Sequence, residues 1–190
     1  MSRLLLELDA LSAGYDHAVV GPLSMRLNAG EVVGLWGANG SGKSTLLAAI
    51  GNGARLFGGA IRRTNGLTIA YQEQQPVRLP AMPFTGRDLL RIAGAGQSIG
   101  ALPPTLHAAL DRRVDRLSGG QYQLLCVWAA LGRGAQLVLL DEPTNNLDPA
   151  HEAMLAEMLR QRTNERAVLL VSHERAFLDA VCSRVLDLSP

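Results

Sequence analysis

Long apolar runs are missing from this 190-residue chain. None approaches the roughly 20 residues that a membrane-spanning helix needs, so work at a membrane would require separate subunits to cross it. The start, Met1 to Asp9, loses its apolar character at once to Glu7 and Asp9, which argues against a signal peptide. Excess charge of either sign is missing too. Eighteen Lys and Arg oppose 17 Asp and Glu, and a net charge of +1 lends no support to a nucleic-acid or membrane-surface role driven by bulk charge. Cysteine is scarce: Cys126 and Cys182 lack the paired spacing of a zinc site, and their apolar neighbours read as buried thiols of a reducing compartment. Aromatic residues make up only 4%, so an exposed one carries weight. There is no internal repeat and no low-complexity tract. What remains, 47% hydrophobic and 18% charged, is enough for one well-buried domain with a small subdomain.

The chain is organised around Gly37-Ala38-Asn39-Gly40-Ser41-Gly42-Lys43-Ser44-Thr45. The apolar run Val32–Trp36 precedes it and the helix-forming run Leu46–Ile50 follows it. Strand, glycine loop and helix in the pattern G-x-x-x-x-G-K-[ST] cradle phosphate oxygens with backbone N–H groups, and the helix points its positive end at the same anion. Lys43 can reach the outer phosphates, and the Ser44 hydroxyl is placed to ligate Mg2+.

Leu4–Leu11 and Val19–Leu27 read as strands joined by a turn at Ser12–His17, a small antiparallel sheet beside the nucleotide core. Tyr15 sits in that turn, where its position alone favours covering an edge over stacking on a base. The phosphate-loop helix should stop at Gly51-Asn52-Gly53. Gly58–Arg63 and Leu67–Tyr71 read as short strands around Thr64-Asn65-Gly66, followed by the polar loop Gln72–Pro76. Residues 77–131, with Pro80, Pro83, Pro103 and Pro104 and helical patterns at Arg87–Ala95 and Thr105–Arg112, read as an inserted helical subdomain. Ala135–Leu140 and Ala167–Val171 are near-continuous apolar runs, the mark of buried parallel strands. Pro149–Arg162 and Arg175–Cys182 read as helices, and Arg184–Leu188 as a last strand.

In open α/β sheets ligands bind at the C-terminal strand ends. That rim should gather Asp141, able to bind Mg2+, and Glu142, able to polarise an attacking water. His173, at the end of another strand, could donate to the outer phosphate. The Gln74 amide could touch Mg2+ or the water. Ser118-Gly119-Gly120-Gln121 forms a second glycine-bearing helix start, with Ser118 as N-cap and Gln121 as its partner. It is either a plain cap or a surface for a nucleotide bound by another copy; the second option predicts a dimer with two ATPs at its interface.

Together these residues resemble the ATP-binding subunit of ABC transporters over essentially the full length. Gly37–Thr45 is similar to the Walker A motif, Leu137–Glu142 to Walker B with its catalytic glutamate, and Leu117–Gln121 to the LSGGQ signature. Asn146-Leu147-Asp148 is similar to the D-loop, Gln74 to the Q-loop glutamine and His173 to the switch histidine. The resemblance makes Tyr15 the residue that stacks on adenine, reversing the positional reading. It implies an α/β fold: a P-loop NTPase (RecA-like) core, a small N-terminal antiparallel β subdomain and a short inserted helical subdomain, one domain over residues 1–190. It also implies ATP and Mg2+ as cofactors, a homodimer closed through the ATP sites, and integral membrane permease subunits with a substrate-binding protein as partners. No nucleic acid is expected, and the place of work is the cytoplasmic face of the plasma membrane.

Glu73 stands where the family often has proline, Leu124 replaces a common arginine, and the helical segment is short. The compact Gly58–Gln74 stretch is similar to zinc and manganese importer ATPases, which implies a metal-ion importer. Pro143–Asp148 and Ser172–Leu178 instead resemble the soluble ABC-F proteins that act on ribosomes. Those usually carry two cassettes and a charged linker, so a single cassette favours the transporter. A P-loop kinase would need an acceptor site and has no use for Leu117–Gln121.

Overall fold

Two kinds of strand sequence build two sheets. The computed structural model describes residues 3–74, 83–161 and 165–188. Strands β1 (Leu4–Gly14) and β2 (Ala18–Asn28) form an antiparallel hairpin; β3 (Val32–Trp36) then leads through the glycine loop into α1 (Lys43–Ile50), and β4 (Arg55–Arg63) returns to pair antiparallel with β1. The small sheet has the order β2-β1-β4. Its outer face is polar: Glu7 and Asp9 on β1 meet Arg26 on β2 and Arg62 on β4 at 2.8 to 3.4 Å. These exposed pairs add little stability, but they disfavour other registers.

The second sheet is parallel. After β5 (Ile69–Gln72) come α2 (Gly86–Ile92), the short α3 (His107–Leu110) and α4 (Gly119–Gly132), with 3₁₀ segments at Gly96–Ala101 and Pro104–Leu106 before α3 and at Val114–Arg116 after it. Then follow β6 (Leu137–Asp141), α5 (Pro149–Arg160), β7 (Ala167–Val171), α6 (Arg175–Val181) and β8 (Arg184–Asp187). The order is β5-β6-β7-β3-β8. The apolar runs are explained by burial on both faces. Leu137 and Leu139 face the core shared with α1 and the small sheet, while Val138 and Leu140 face the core shared with α4, α5 and α6. Gly34 in β3 lets α6 come close, because a Cβ there would lie 3.0 Å from both Cys182 Sγ and Leu178 Cδ2.

Several expectations are corrected by the coordinates. Strand β1 runs on to Gly14 through residues expected to turn, because β4 adds a second set of ladder partners up to Gly14↔Arg55. Strands β4 and β5 do not pair with each other; they belong to different sheets. The helical pattern at Thr105–Arg112 shrinks to a 3₁₀ turn, Pro104–Leu106, and one helical turn, His107–Leu110. Beyond it the chain becomes extended at Arg113, which bridges to Thr85. Cys126 and Cys182 are not disulfide-bonded and are half-buried, not fully buried; burial still pushes the Cys126 thiol up to about 11. The start of the expected helical subdomain (Val77, Pro80) and the end of the expected helix at Arg162 lie outside the described residues.

Candidate nucleotide site

Strand β3 delivers the chain into a loop of left-handed glycines: Gly37, Gly40 and Gly42 have φ of 152°, 83° and 86°. At Gly42 the need is doubly strict, since a Cβ would sit 2.6 Å from Val20 Cβ of the antiparallel sheet. The β1–β2 hairpin is thus the floor of the loop. Lys43 is only 6% exposed. Its ammonium donates to the Gly37 and Ala38 carbonyls at 2.8 and 2.9 Å, folded over the loop it follows. Asn39 and Gly40 are exposed at the loop's tip, and Thr45 is buried beneath it. Ser41 Oγ is buried with no hydrogen-bond partner among the described residues.

In the first turn of α1, the exposed Ser44 donates its hydroxyl to Asp141 Oδ1 at 3.0 Å. The Tyr71 hydroxyl donates to Asp141 Oδ2 at 3.4 Å. Asp141 is 3% exposed. Burial pushes its carboxyl above the usual range, partly offset by the Ser44 donor, and the neighbouring Glu142 pushes the same way as burial. Tyr71 is raised in turn, first by burial and then by the Asp141 charge. Hard oxygens on Ser44 and Asp141 that converge within hydrogen-bond distance suit Mg2+, so the residues present fit that ion.

Glu142 has φ of +48°, held there by its N–H on the Val171 carbonyl at 3.0 Å. That turn lifts it off the sheet. Its Oε2 lies 2.9 Å from His173 Nδ1 and accepts from the His173 backbone N–H at 3.3 Å. The parallel register places Asp141 beside Val171 and so gathers both residues at one rim. A cavity of about 730 Å³ takes in Tyr15, Tyr71, Gln74 and Asp141. The predicted residues Tyr15, Gln74 and Asp141 are therefore brought to one hollow, while Lys43, Ser44, Glu142 and His173 are joined to it by the phosphate loop and the strand rim.

Ser118–Gln121 does not line that hollow. It forms the expected capping box: Ser118 Oγ accepts from the Gln121 N–H at 3.1 Å, and Gln121 Oε1 accepts from the Ser118 N–H at 3.2 Å. Sequence reasoning missed Tyr71, although its place at the end of a rim strand was a signal. It also missed Gln123, whose amide donates to the Pro143 carbonyl at 3.4 Å, and the Arg175 guanidinium stacked 5.6 Å from the Trp36 ring.

The model of the ABC transporter family matches residues 20–145. The chain belongs to the ABC transporter family. Among its relatives, the zinc import ATP-binding protein ZnuC of Paracoccus denitrificans is 38% identical over 197 residues, spanning 100% of this chain and 77% of the relative. The lipoprotein-releasing system ATP-binding protein LolD of Anaeromyxobacter dehalogenans is 35% identical over 195 residues, covering 87% and 80%. A solved ATP-binding subunit of an ABC transporter superposes with a TM-score of 0.80 at 27% identity, covering 96% of this chain and 85% of that one. This ABC cassette is an ATP-binding, ATP-hydrolysing transporter subunit, and the transporter reading stands over the ABC-F one.

Proposed function

We propose that this chain is the motor of a metal-ion importer with zinc as its cargo, and that it works as a homodimer on the cytoplasmic face of the plasma membrane beneath integral permease subunits fed by a substrate-binding protein. The reading covers residues 1–190 as a single ABC ATPase domain, with residues 77–131 as its inserted helical subdomain. Nucleic acid has no part in it. The carrying observation is Glu142, a buried carboxylate lifted from the strand rim next to Asp141 and held by His173.

In this reading Tyr15 stacks on the adenine. The loop Gly37–Thr45 wraps the phosphates, with Asn39, Gly40, Ser41 and Gly42 giving backbone donors and Lys43 the cation. Ser44, Asp141 and Gln74 would hold Mg2+, which when bound neutralises charge on the outer phosphates. Glu142 takes a proton from the attacking water as the water oxygen bonds the γ-phosphorus and the bond to the β-phosphate oxygen breaks. His173 orients Glu142 and can turn to the γ-phosphate. Ser118, Gly119, Gly120 and Gln121 of a second copy close over the same ATP, so hydrolysis and dimer opening are one event.

The cargo follows from the zinc-import relative; the lipoprotein-releasing relative favours a second cargo. Vesicles bearing this chain and its permease should take up radioactive zinc when ATP is supplied. Glu142→Gln should lose hydrolysis and uptake while ATP-bound dimers accumulate. Unchanged turnover in that variant overturns the motor assignment; hydrolysis stimulated by lipopeptide, without zinc uptake, moves the cargo to lipoprotein release.

A further inference from the structure

Helix α5 opens on a tight arrangement outside the nucleotide hollow. Asp148 caps it, its Oδ1 accepting the His151 backbone N–H at 2.9 Å. The same oxygen lies 2.9 Å from His151 Nδ1, yet that buried nitrogen has no hydrogen-bond partner among the described residues. The His151 side chain is 23% exposed and its ring lies against Gly120 of α4. A Cβ added to Gly120 would sit 3.1 Å from His151 Cγ, 3.2 Å from Nδ1 and 3.4 Å from Cδ2. The ring therefore rests on the bare backbone of the second signature glycine, with Nδ1 beside the Asp148 carboxylate but not hydrogen-bonded to it. A second contact leaves the same helix α4: the Gln123 amide donates to the Pro143 carbonyl, next to Glu142, at 3.4 Å.

We propose that His151 is a positioning residue: its ring wedges between Gly120 and Asp148 and makes the signature turn and the Asn146–Asp148 loop of one chain move as a unit. This rests on the reading that Ser118–Gln121 closes over the ATP of a second copy. Under that reading each chain offers its glutamate to its own ATP and its signature turn to the partner's. A rigid link between the two makes a change at one ATP reach the other through a single side chain. The contact needs a flat ring on one side and glycine on the other; an aliphatic chain would fill the space without the plane, and a Cβ on Gly120 would push the ring away.

Replacing the ring tests this, because Asp148 still has the backbone N–H of residue 151 to accept and the helix cap survives His151→Ala. Three measurements are compared in wild type, His151→Ala and His151→Phe. Steady-state turnover should fall about tenfold in His151→Ala, the scale of a small misplacement of reacting groups, and return within about twofold of wild type in His151→Phe, which keeps the flat ring. The affinity of single chains for a fluorescent ATP analogue should not change, since that binding uses the chain's own phosphate loop. Hydrogen exchange at the Gln121 and Tyr122 amides of nucleotide-free protein should quicken in His151→Ala and not in His151→Phe. Wild-type turnover and exchange in His151→Ala overturn the proposal. So does an equal loss of turnover, analogue affinity and thermal stability, which marks a plain folding role, and so does a His151→Phe variant as slow as His151→Ala. Glu142→Gln without ATP-bound dimers would sink the dimer reading instead, and the exchange rates would still decide the contact.

Discussion

At the scale of single residues, the site is built from groups that would rather be elsewhere. Asp141 is buried with hydroxyl donors facing both its oxygens, and Glu142 is buried beside it on a left-handed backbone. A carboxylate raised by burial favours its protonated form in the fold, so its contribution to stability is present in acid and lost as pH rises through the raised value. Asp141→Asn keeps the shape and removes the charge. It should therefore raise the thermal midpoint at neutral pH by about 2–4 °C, near 1 kcal/mol, with the gain fading as pH drops toward the carboxylate range. Mg-ATP should stabilise the variant less than the wild type, and hydrolysis should be lost. A scan of both proteins at two pH values checks this; a lower midpoint at neutral pH contradicts it. Much of this residue set was legible in the sequence, because each member is fixed by local spacing: a loop between strand and helix, or an acid at the end of an apolar run. Tyr71, Gln123 and the seat of the His151 ring on Gly120 were not, since each contact joins residues far apart in the chain, as Tyr71 finds Asp141 70 positions away.

At the scale of elements, α4 shows how one cap can hold two meanings. Ser118 and Gln121 satisfy each other's backbone donors, which is all a stable helix start requires. The proposed second meaning is a surface for the partner's phosphates, and Ser118→Asp separates the two. Aspartate is as good an N-cap as serine and suits the helix dipole, so thermal stability should stay within about 0.5 kcal/mol. Its charge would face phosphate, so ATP-driven dimerisation and turnover should both collapse. Retained turnover would mean the element is only a cap. The strands β3, β6 and β7 were readable because burial on both faces leaves no room for polar residues. The limits of β1 and of the helix at Thr105–Arg112 were not, because ladder partners in β4 extended the one and the bridge from Arg113 to Thr85 cut short the other.

At the scale of the whole molecule, one parallel sheet divides two cores. The face toward α1 and the small sheet carries the phosphate loop, and the face toward α4, α5 and α6 carries the signature turn. The strand order β5-β6-β7-β3-β8 was not legible, because strands buried on both faces carry no mark of their neighbours. The hollow that gathers Tyr15, Gln74 and Asp141 lacks the signature turn, so the proposed site is completed only by a second copy. Turnover per chain should then rise with protein concentration and level off once dimers prevail. Turnover proportional to protein at every concentration would show that single chains suffice. The β1–β2 hairpin has a further consequence at this scale. It holds Tyr15 at its tip and Val20 beneath Gly42, five positions apart. In the proposed pose it is a caliper, one jaw on the base and one under the phosphates. Each inserted residue would open it by about 3.3 Å, so base preference and triphosphate affinity should drift apart together in evolution, as two readings of one length.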